Sequence, residues 1–153
     1  AYGRSFDSNL KTLIAPYGTN ILIPDDKYAS QLEIIDADFI AYQDEVGVRK
    51  SNPEQTEAYY EGLKRVHDKA GRSKLWADME VFEFEGDVYR SALVPATMER
   101  IKRQLKSISP YVEKVLCYEY IGMFNKPGTI AYCGHPDSVK LYRDYESFLE
   151  RIK

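Results

Sequence analysis

Two carboxylates lie inside an apolar run of this chain, where acidic residues are unusual. Residues 75–81 read LWADMEV, and the two-residue period of an extended strand places Trp76, Asp78 and Glu80 on one face. A charge in such a run costs several kcal/mol unless it is paired or hydrogen-bonded. The other face is apolar and suits packing against helices, so we expect Asp78 and Glu80 to point toward a ligand site. A satisfied polar network at the rim of a sheet is the alternative interpretation.

A further candidate carboxylate, Glu119, lies in the apolar run 112–120. Its parity groups it with Cys117, while Tyr118 faces the other way, and both faces are apolar enough to be buried. If Glu119 faces the site, it lies one strand from Glu80, at a strand spacing of ~4.8 Å. That scale matches the ~5–5.5 Å between the carboxyl groups of retaining glycosidases. If Tyr118 faces the site instead, a tyrosine hydroxyl flanks Glu80.

The elements that must position these side chains alternate between strands and helices. Apolar runs bounded by turn residues predict strands at 10–15, 39–43, 75–81 and 112–120, with 21–23 as a short alternative. Helical periodicity predicts helices from the N-cap Asn52 to Gly71, from Pro95 to Ser109, after Pro136 and, with a weaker pattern, over 28–35. Strands thus begin roughly 30–40 residues apart, as in βα units. We predict the α/β class with a parallel sheet, in one domain covering residues 1–153.

Ligands of parallel sheets bind at the carboxyl ends of the strands. The first predicted strand leads to Tyr17, and the second ends in Gln43, Asp44 and Glu45. Tyrosine, of which the chain has 13, can stack on a sugar face while its hydroxyl forms a hydrogen bond. Most of these tyrosines are nevertheless expected to serve packing.

Other signals are weaker or exclude whole classes of function. The net charge of −3 is spread over mixed signs, which argues against nucleic acid as a partner, and no apolar run approaches the ~20 residues of a membrane span. No signal-peptide pattern opens the chain, and no phosphate loop, HExxH or GxSxG motif occurs. We predict no cofactor and no metal site.

The cysteines and histidines carry weaker signals. Cys117 and Cys133 are expected to be a strand thiol and a loop thiol, although a disulfide between them stays open. His67 is expected to be an ordinary surface or packing residue of its helix, and His135 to lie in a loop that could overhang the strand ends.

Several stretches resemble the C-terminal half of a bacterial domain family of unknown function that is described as TIM-barrel and glycoside-hydrolase-like. They are IAYQDEVGVRK (40–50), LWADMEVFEFEG (75–86), YRSALVPA (89–96) and PYVEKVLCYEYIGMFNKPG (110–128), and IAPYG (14–18) resembles the end of the family's fourth strand. The resemblance implies a (β/α)8 barrel of which this chain supplies roughly strands four to eight. It also implies recurring polar residues at Gln43, Asp44, Trp76, Glu80 and 118–120, and an extracytoplasmic location.

A partial barrel leaves two unpaired sheet edges and an open core. Such a chain is expected to associate with another copy, to fold more openly, or to be completed by a missing N-terminal barrel half.

Three hypotheses of function follow. In the first, the chain is a glycoside hydrolase in which Glu80 and Glu119 are the catalytic pair, acting on a carbohydrate or other small polar ligand. The residues that would bind this ligand are Tyr17, Gln43, Asp44, Trp76, Asp78 and Tyr118. In the second, the same rim belongs to a non-catalytic glycan-binding or scaffold domain. In the third, an open α/β domain binds a small ligand where its strand order reverses.

Overall fold

The computed structural model describes residues 3–18, 25–129 and 135–152. The alternative strand at 21–23 and Cys133 lie outside the described residues. After a short 3-10 turn at Gly3–Ser5, the strands are β1 (Leu13–Ile14), β2 (Phe39–Gln43), β3 (Lys74–Glu80), β4 (Phe82–Phe84), β5 (Leu93–Pro95) and β6 (Lys114–Tyr118). The helices are α1 (Asp25–Ile34), α2 (Val46–Arg49), α3 (Gln55–Ala70), α4 (Met98–Ile108) and α5 (Pro136–Ile152). None of these helices is long and apolar enough to cross a membrane.

Strands β1, β2, β3 and β6 form a parallel sheet in which the spatial order follows the chain order. In register, Ile40 lies opposite Leu75, and Ala77 lies opposite Val115. Helices fill the connections between successive strands, as parallel pairing requires. The predicted α/β class with a parallel sheet is therefore confirmed.

One face of the sheet is buried beneath the helices. Leu75, Ala77 and Met79 of β3 are at most 5% exposed and belong to one core with apolar residues of α1, α3, α4 and α5. The alternation of side chains along β3 therefore follows its sequence pattern. The opposite, open face carries Phe39 and Trp76, which are only partly covered. The face beneath the helices therefore belongs to the core, whereas the open face is available for other contacts.

Helix α3 begins three residues after the predicted N-cap, Asn52. Glu54 occupies the N-cap position, and its side chain forms no cap hydrogen bond. Asn52 instead heads the preceding turn, where its carbonyl accepts from the N–H of Gln55 at 3.0 Å. The predicted stop at Gly71 is confirmed, because this residue has φ 62° and its N–H donates to the carbonyl of His67. Glycine adopts this conformation at no steric cost.

The hairpin of β4 and β5 is a feature that the sequence pattern did not predict. Phe82 pairs with Pro95, and Phe84 pairs with Leu93. Pro95 was predicted to open a helix, but it ends β5, and Thr97 caps α4 by accepting from the N–H of Arg100 at 3.2 Å. Strands β1 and β6 are also shorter than the predicted 10–15 and 112–120. Both are edge strands among the described residues, so each has a single neighbour to extend its pairing.

Candidate active site at the strand ends

The carboxyl ends of the parallel strands meet at a cavity of about 270 Å³. The strand register places Tyr17 beside Gln43 and Glu80 beside Tyr118. Glu119, directly after β6, lines the same cavity. Much of the remaining lining is apolar: Val48, Phe82, Phe84 and Leu93. Five residues singled out from the sequence thus share one small site.

Glu80, the last residue of β3, is 2% exposed and lines this cavity. Its Oε2 accepts a hydrogen bond from the N–H of Val48 at 2.7 Å, and the N–H of Gly47 also donates to the carboxyl group. Burial, with a smaller contribution from the charge of Asp44, raises the pKa of Glu80 to about 7, although the two N–H groups oppose the rise. A carboxyl group with a pKa near neutrality can both give and take a proton.

Asp44 lies behind the cavity and is 3% exposed. Its Oδ1 accepts from the N–H groups of Glu80 at 3.1 Å and Val46 at 3.3 Å. Its Oδ2 accepts from the side-chain amide of Gln104 at 2.6 Å. Burial raises the pKa of Asp44 to about 6 against the effect of these donors. Because both oxygens are engaged by the protein, Asp44 is placed to hold the end of β3.

Two side chains of α4 donate hydrogen bonds to the backbone at the carboxyl end of β3. The amide of Gln104, which is fully buried, also donates to the carbonyl of Glu80 at 3.1 Å. Arg100 donates to the carbonyls of Glu80 at 2.9 Å and Phe82 at 2.7 Å, and its guanidinium lies 3.3 Å from the carboxylate of Glu83. Buried carbonyls need such donors where the chain leaves a sheet. The backbone that carries Glu80 is therefore fixed by side chains from a distant helix.

Trp76 and Asp78 lie on the open face and do not line the cavity. Trp76 stacks on Phe39 with ring centroids 4.1 Å apart, and Nζ of Lys114 lies 4.7 Å from the centroid of the indole ring. Asp78 occupies the same row of the sheet as Gln43, and burial raises its pKa. These two predicted binding residues therefore share the sheet face of Glu80 and Tyr118 but do not belong to the cavity lining.

The register of β6 decides which of its side chains share the face of Glu80, a point that the sequence left open. Tyr118 lies opposite Glu80 and shares its face, while Cys117 lies on the side of the helices, where burial raises the pKa of its thiol to about 11. Tyr118 is 45% exposed, and its ring meets that of Phe82 edge to face, with centroids 6.0 Å apart. Glu119 is half-buried and reaches the cavity because it follows the last paired residue.

His67 belongs to a separate buried network on the helix side of the sheet. Its Nδ1 lies 2.9 Å from the carbonyl of Ser73, which can only accept, so this nitrogen carries the proton. Its Nε2 then accepts from the hydroxyl of Tyr42 at 3.0 Å, and that hydroxyl accepts from Tyr28 at 2.7 Å. Burial lowers the pKa of His67 and keeps the ring neutral. The packing interpretation of this histidine agrees with these contacts.

Two acidic residues of α1 and the loop histidine form local contacts away from the cavity. Asp25 and Asp26, in the first turn of α1, pair with Arg65 and Lys69 of α3. His135 precedes α5, where its Nδ1 accepts from the N–H of Asp137 at 3.2 Å. Within the described ranges, no group of three or more His, Cys, Asp or Glu side chains is arranged to hold a metal ion.

Some residues of this site escaped prediction, although two carried a visible signal. Gln104 is a polar residue on the apolar face that Ile101 and Ile108 define, and this exception to the pattern marks a buried hydrogen-bonding role. Gly47 lies where the backbone of α2 closely approaches β4, because a Cβ there would lie 1.9 Å from the carbonyl oxygen of Phe82. No sequence pattern indicates that the loop of the β4–β5 hairpin reaches the cavity.

Comparisons with known proteins agree with this fold. A family model described as "Domain of unknown function (DUF4434)" matches residues 2–131. No curated protein matches the chain. Three solved chains match, among them the crystal structure of a "putative alpha-L-fucosidase" from Bacteroides thetaiotaomicron VPI-5482, with a TM-score of 0.61 and 18% sequence identity. That match covers 82% of this chain and 35% of the other, so the chain spans about a third of that structure's length. At this identity the likeness shows the fold alone.

Proposed function

We propose that this chain, which belongs to the DUF4434 family, is a carbohydrate-directed hydrolase in which Glu80 is the general acid and Glu119 the second carboxylate. One observation carries the proposal: Glu80, whose pKa burial raises to about 7, shares a small strand-end cavity with Glu119. Glycosidases need such a pair, one carboxyl group protonated and the other ionised near neutral pH.

The proposed chemistry uses both carboxyl groups. The protonated Glu80 donates its proton to the glycosidic oxygen as the bond to the anomeric carbon breaks. Glu119 either attacks the anomeric carbon itself, in a retaining reaction, or takes a proton from an attacking water, in an inverting one. Asp44 contributes indirectly, because its negative charge helps to keep Glu80 protonated and its hydrogen bonds hold the end of β3.

Substrate hydroxyls bind to Tyr17, Gln43 and Tyr118, which carry hydroxyl and amide groups and line the same cavity. Trp76 and Asp78 do not line this cavity, although they lie on the same open face of the sheet as Glu80. They contact a ligand only if it extends over that face.

The chain supplies part of a β/α barrel, and the barrel region corresponds to a single domain. Two features support this. The four parallel strands follow one another in chain order with the helices on one face, as in a singly wound barrel, and the opposite face is only partly covered. The described strands show no reversal of order, so the hypothesis of a ligand site at such a reversal loses its support. Completion of the barrel by further strands or by a second copy, and an extracytoplasmic location, remain parts of the proposal.

The test is the substitution Glu80→Gln, assayed by the release of reducing sugar from a panel of oligosaccharides and alkyl glycosides, whose leaving groups must be protonated. A lost general acid lowers turnover by about 10²–10⁴-fold, and we expect a thermal unfolding midpoint close to that of the wild type. Glu61→Gln, on the exposed side of α3, is the matched control and should retain turnover. Wild-type turnover in the Glu80→Gln variant would refute the catalytic assignment.

The second candidate function is a non-catalytic glycan-binding domain that uses the same rim. The open, partly apolar lining favours it, because binding needs no carboxylate pair. A wild-type chain that binds glycans but hydrolyses none of the glycosides would support this alternative.

A further inference from the structure

Tyr89, in the loop of the β4–β5 hairpin, has a backbone conformation that L-residues rarely adopt. Its φ is 60°. The N–H of Arg90 donates to the carbonyl of Asp87 at 3.0 Å, which makes Tyr89 the third residue of a four-residue turn. A positive φ at this position favours glycine or asparagine, and it costs a residue with a Cβ about 1–2 kcal/mol.

The fold does not explain why a tyrosine occupies this position. Its side chain is 76% exposed, so it buries little apolar surface. The loop is held by other bonds: the N–H of Gly86 donates to Oγ of Ser91 at 2.8 Å, and that hydroxyl donates to the carbonyl of Asp87 at 3.0 Å. The ring of Tyr89 meets that of Phe84 edge to face, with centroids 5.3 Å apart. That contact aims the ring and is worth about 0.5–1.5 kcal/mol, which no more than offsets the backbone strain.

The ring lies at the rim of the strand-end cavity, which it lines together with Glu80. At about 270 Å³, this cavity is smaller than the ~300–1,000 Å³ of ordinary small-molecule pockets, so a ligand of two or more sugar units must extend beyond it. Residues with a strained backbone concentrate at active sites and ligand-binding sites. An exposed, oriented aromatic ring at the exit of a small cavity has the geometry of a stacking surface.

We infer that Tyr89 determines specificity: its ring is the platform for the second sugar unit of a neutral glycan whose first unit occupies the cavity. The inference rests on the proposed function and deepens it. The C–H groups on one face of a pyranose ring pack against an aromatic face. The glycan is neutral because, among the described residues, no lysine or arginine lines the cavity, whereas the second carboxylate, Glu119, does. A uronic acid or sulfated sugar would meet like charge there.

The experiment measures binding in the Glu80→Gln background, so that no ligand is consumed. The probes are an array of neutral oligosaccharides, the monosaccharides from which they are built, and uronic acid oligosaccharides. We expect neutral oligosaccharides to bind, and Tyr89→Ala to weaken their binding by about three- to tenfold. Binding of the monosaccharides should stay unchanged, since they fit within the cavity.

Two further variants separate stacking from folding. Tyr89→Gly relieves the strain, so the thermal unfolding midpoint should be equal to or above that of the parent, while oligosaccharide binding falls as in Tyr89→Ala. Tyr89→Phe keeps the ring and should keep the binding. Glu85→Ala, in the same loop but outside the cavity lining, is the matched control.

The outcomes distinguish this inference from the proposed function. Unchanged oligosaccharide binding in Tyr89→Ala and Tyr89→Gly would overturn the platform while leaving the catalytic assignment of Glu80 in place. Weakened binding in the Tyr89 variants, together with full turnover in Glu80→Gln, would support the platform and refute the catalytic assignment. Preferential binding of the uronic acid probes would overturn the neutral-glycan inference, and a complete absence of glycan binding would overturn both proposals.

Discussion

Two buried polar networks begin two residues apart, at Tyr42 and at Asp44, and they differ in what they leave available. The network of Tyr42 runs through His67 to the carbonyl of Ser73, toward the amino end of β3. Its groups are neutral and hydrogen-bonded. The network of Asp44 surrounds the carboxyl end of the same strand and includes Glu80, which opens on a cavity. One network completes the core, and the other positions a group that can exchange a proton.

The difference shows how burial serves structure in one place and chemistry in another. Burial lowers the pKa of His67 and raises the pKa of Glu80 and Asp44, and in each case it disfavours the charged form. The histidine thereby becomes an inert hydrogen-bonding group. The carboxyl groups instead acquire pKa values near neutrality, where proton transfer is efficient. A perturbed pKa thus indicates a functional site only when the group also reaches a cavity.

The largest expected effect comes from Gly47→Ala, which introduces a steric clash beside Glu80. The added Cβ would lie 1.9 Å from the backbone oxygen of Phe82 and 3.2 Å from Oε2 of Glu80, so α2 must move away from β4. We expect a loss of about 3 kcal/mol in the free energy of unfolding, together with reduced turnover. Chemical denaturation and the glycoside assay measure these two effects.

The matched control for that change is Gly71→Ala. Gly71 has φ +62°, a conformation that favours glycine, but nothing lies within 4 Å of an added Cβ. It should cost only about 1–2 kcal/mol and leave turnover intact. Equal costs at the two glycines would contradict the close approach of α2 to β4.

A pair of substitutions of intermediate effect sharpens the contrast between the networks. Gln104→Met removes the donor to Asp44, and Tyr42→Phe removes the donor to His67. Each leaves a buried acceptor unpaired and should cost about 1–3 kcal/mol in the free energy of unfolding. Only Gln104→Met should lower kcat, by roughly 10- to 100-fold, because it releases the end of the strand that carries Glu80. A matching fall in kcat for Tyr42→Phe would show that the two networks act as one.

The two networks are also expected to differ in the pH dependence of stability. The folded pKa of Glu80, about 7, lies above its ordinary value of 4.5, so the folded state binds more protons and its stability falls as pH rises through this window. The stability of Glu80→Gln relative to the wild type should therefore rise by about 2 kcal/mol between pH 5 and pH 8. His67 has a lowered pKa, so its contribution is lost as pH falls, and His67→Gln should gain relative stability toward pH 5. Denaturation curves at both pH values measure these differences. The prediction would be wrong if the relative stabilities of the two variants changed with pH in the same direction.

Local sequence patterns predicted much of the frame that carries the site. The two-residue period of β3 gave the faces of Leu75 and Glu80, because alternation is a property of any extended strand. The 3.6-residue period gave α3 and α4 for the same kind of reason, and Gly71 marked the helix end through its backbone freedom. Boundaries were less accurate, as at Asn52, because the first turn of a helix has several ways to satisfy its N–H groups.

The sequence by itself thus determined a parallel α/β fold and a set of polar residues at its strand ends. Tertiary structure decided which of these meet: the register set Tyr118 opposite Glu80, and loop geometry turned Asp44 inward and carried Glu119 and Tyr89 to the cavity. The physical reason is range. Periodicity depends on neighbours a few residues apart, whereas register and loop placement depend on contacts between residues far apart in the chain, such as the bond from Gln104 to Asp44, which no local pattern encodes.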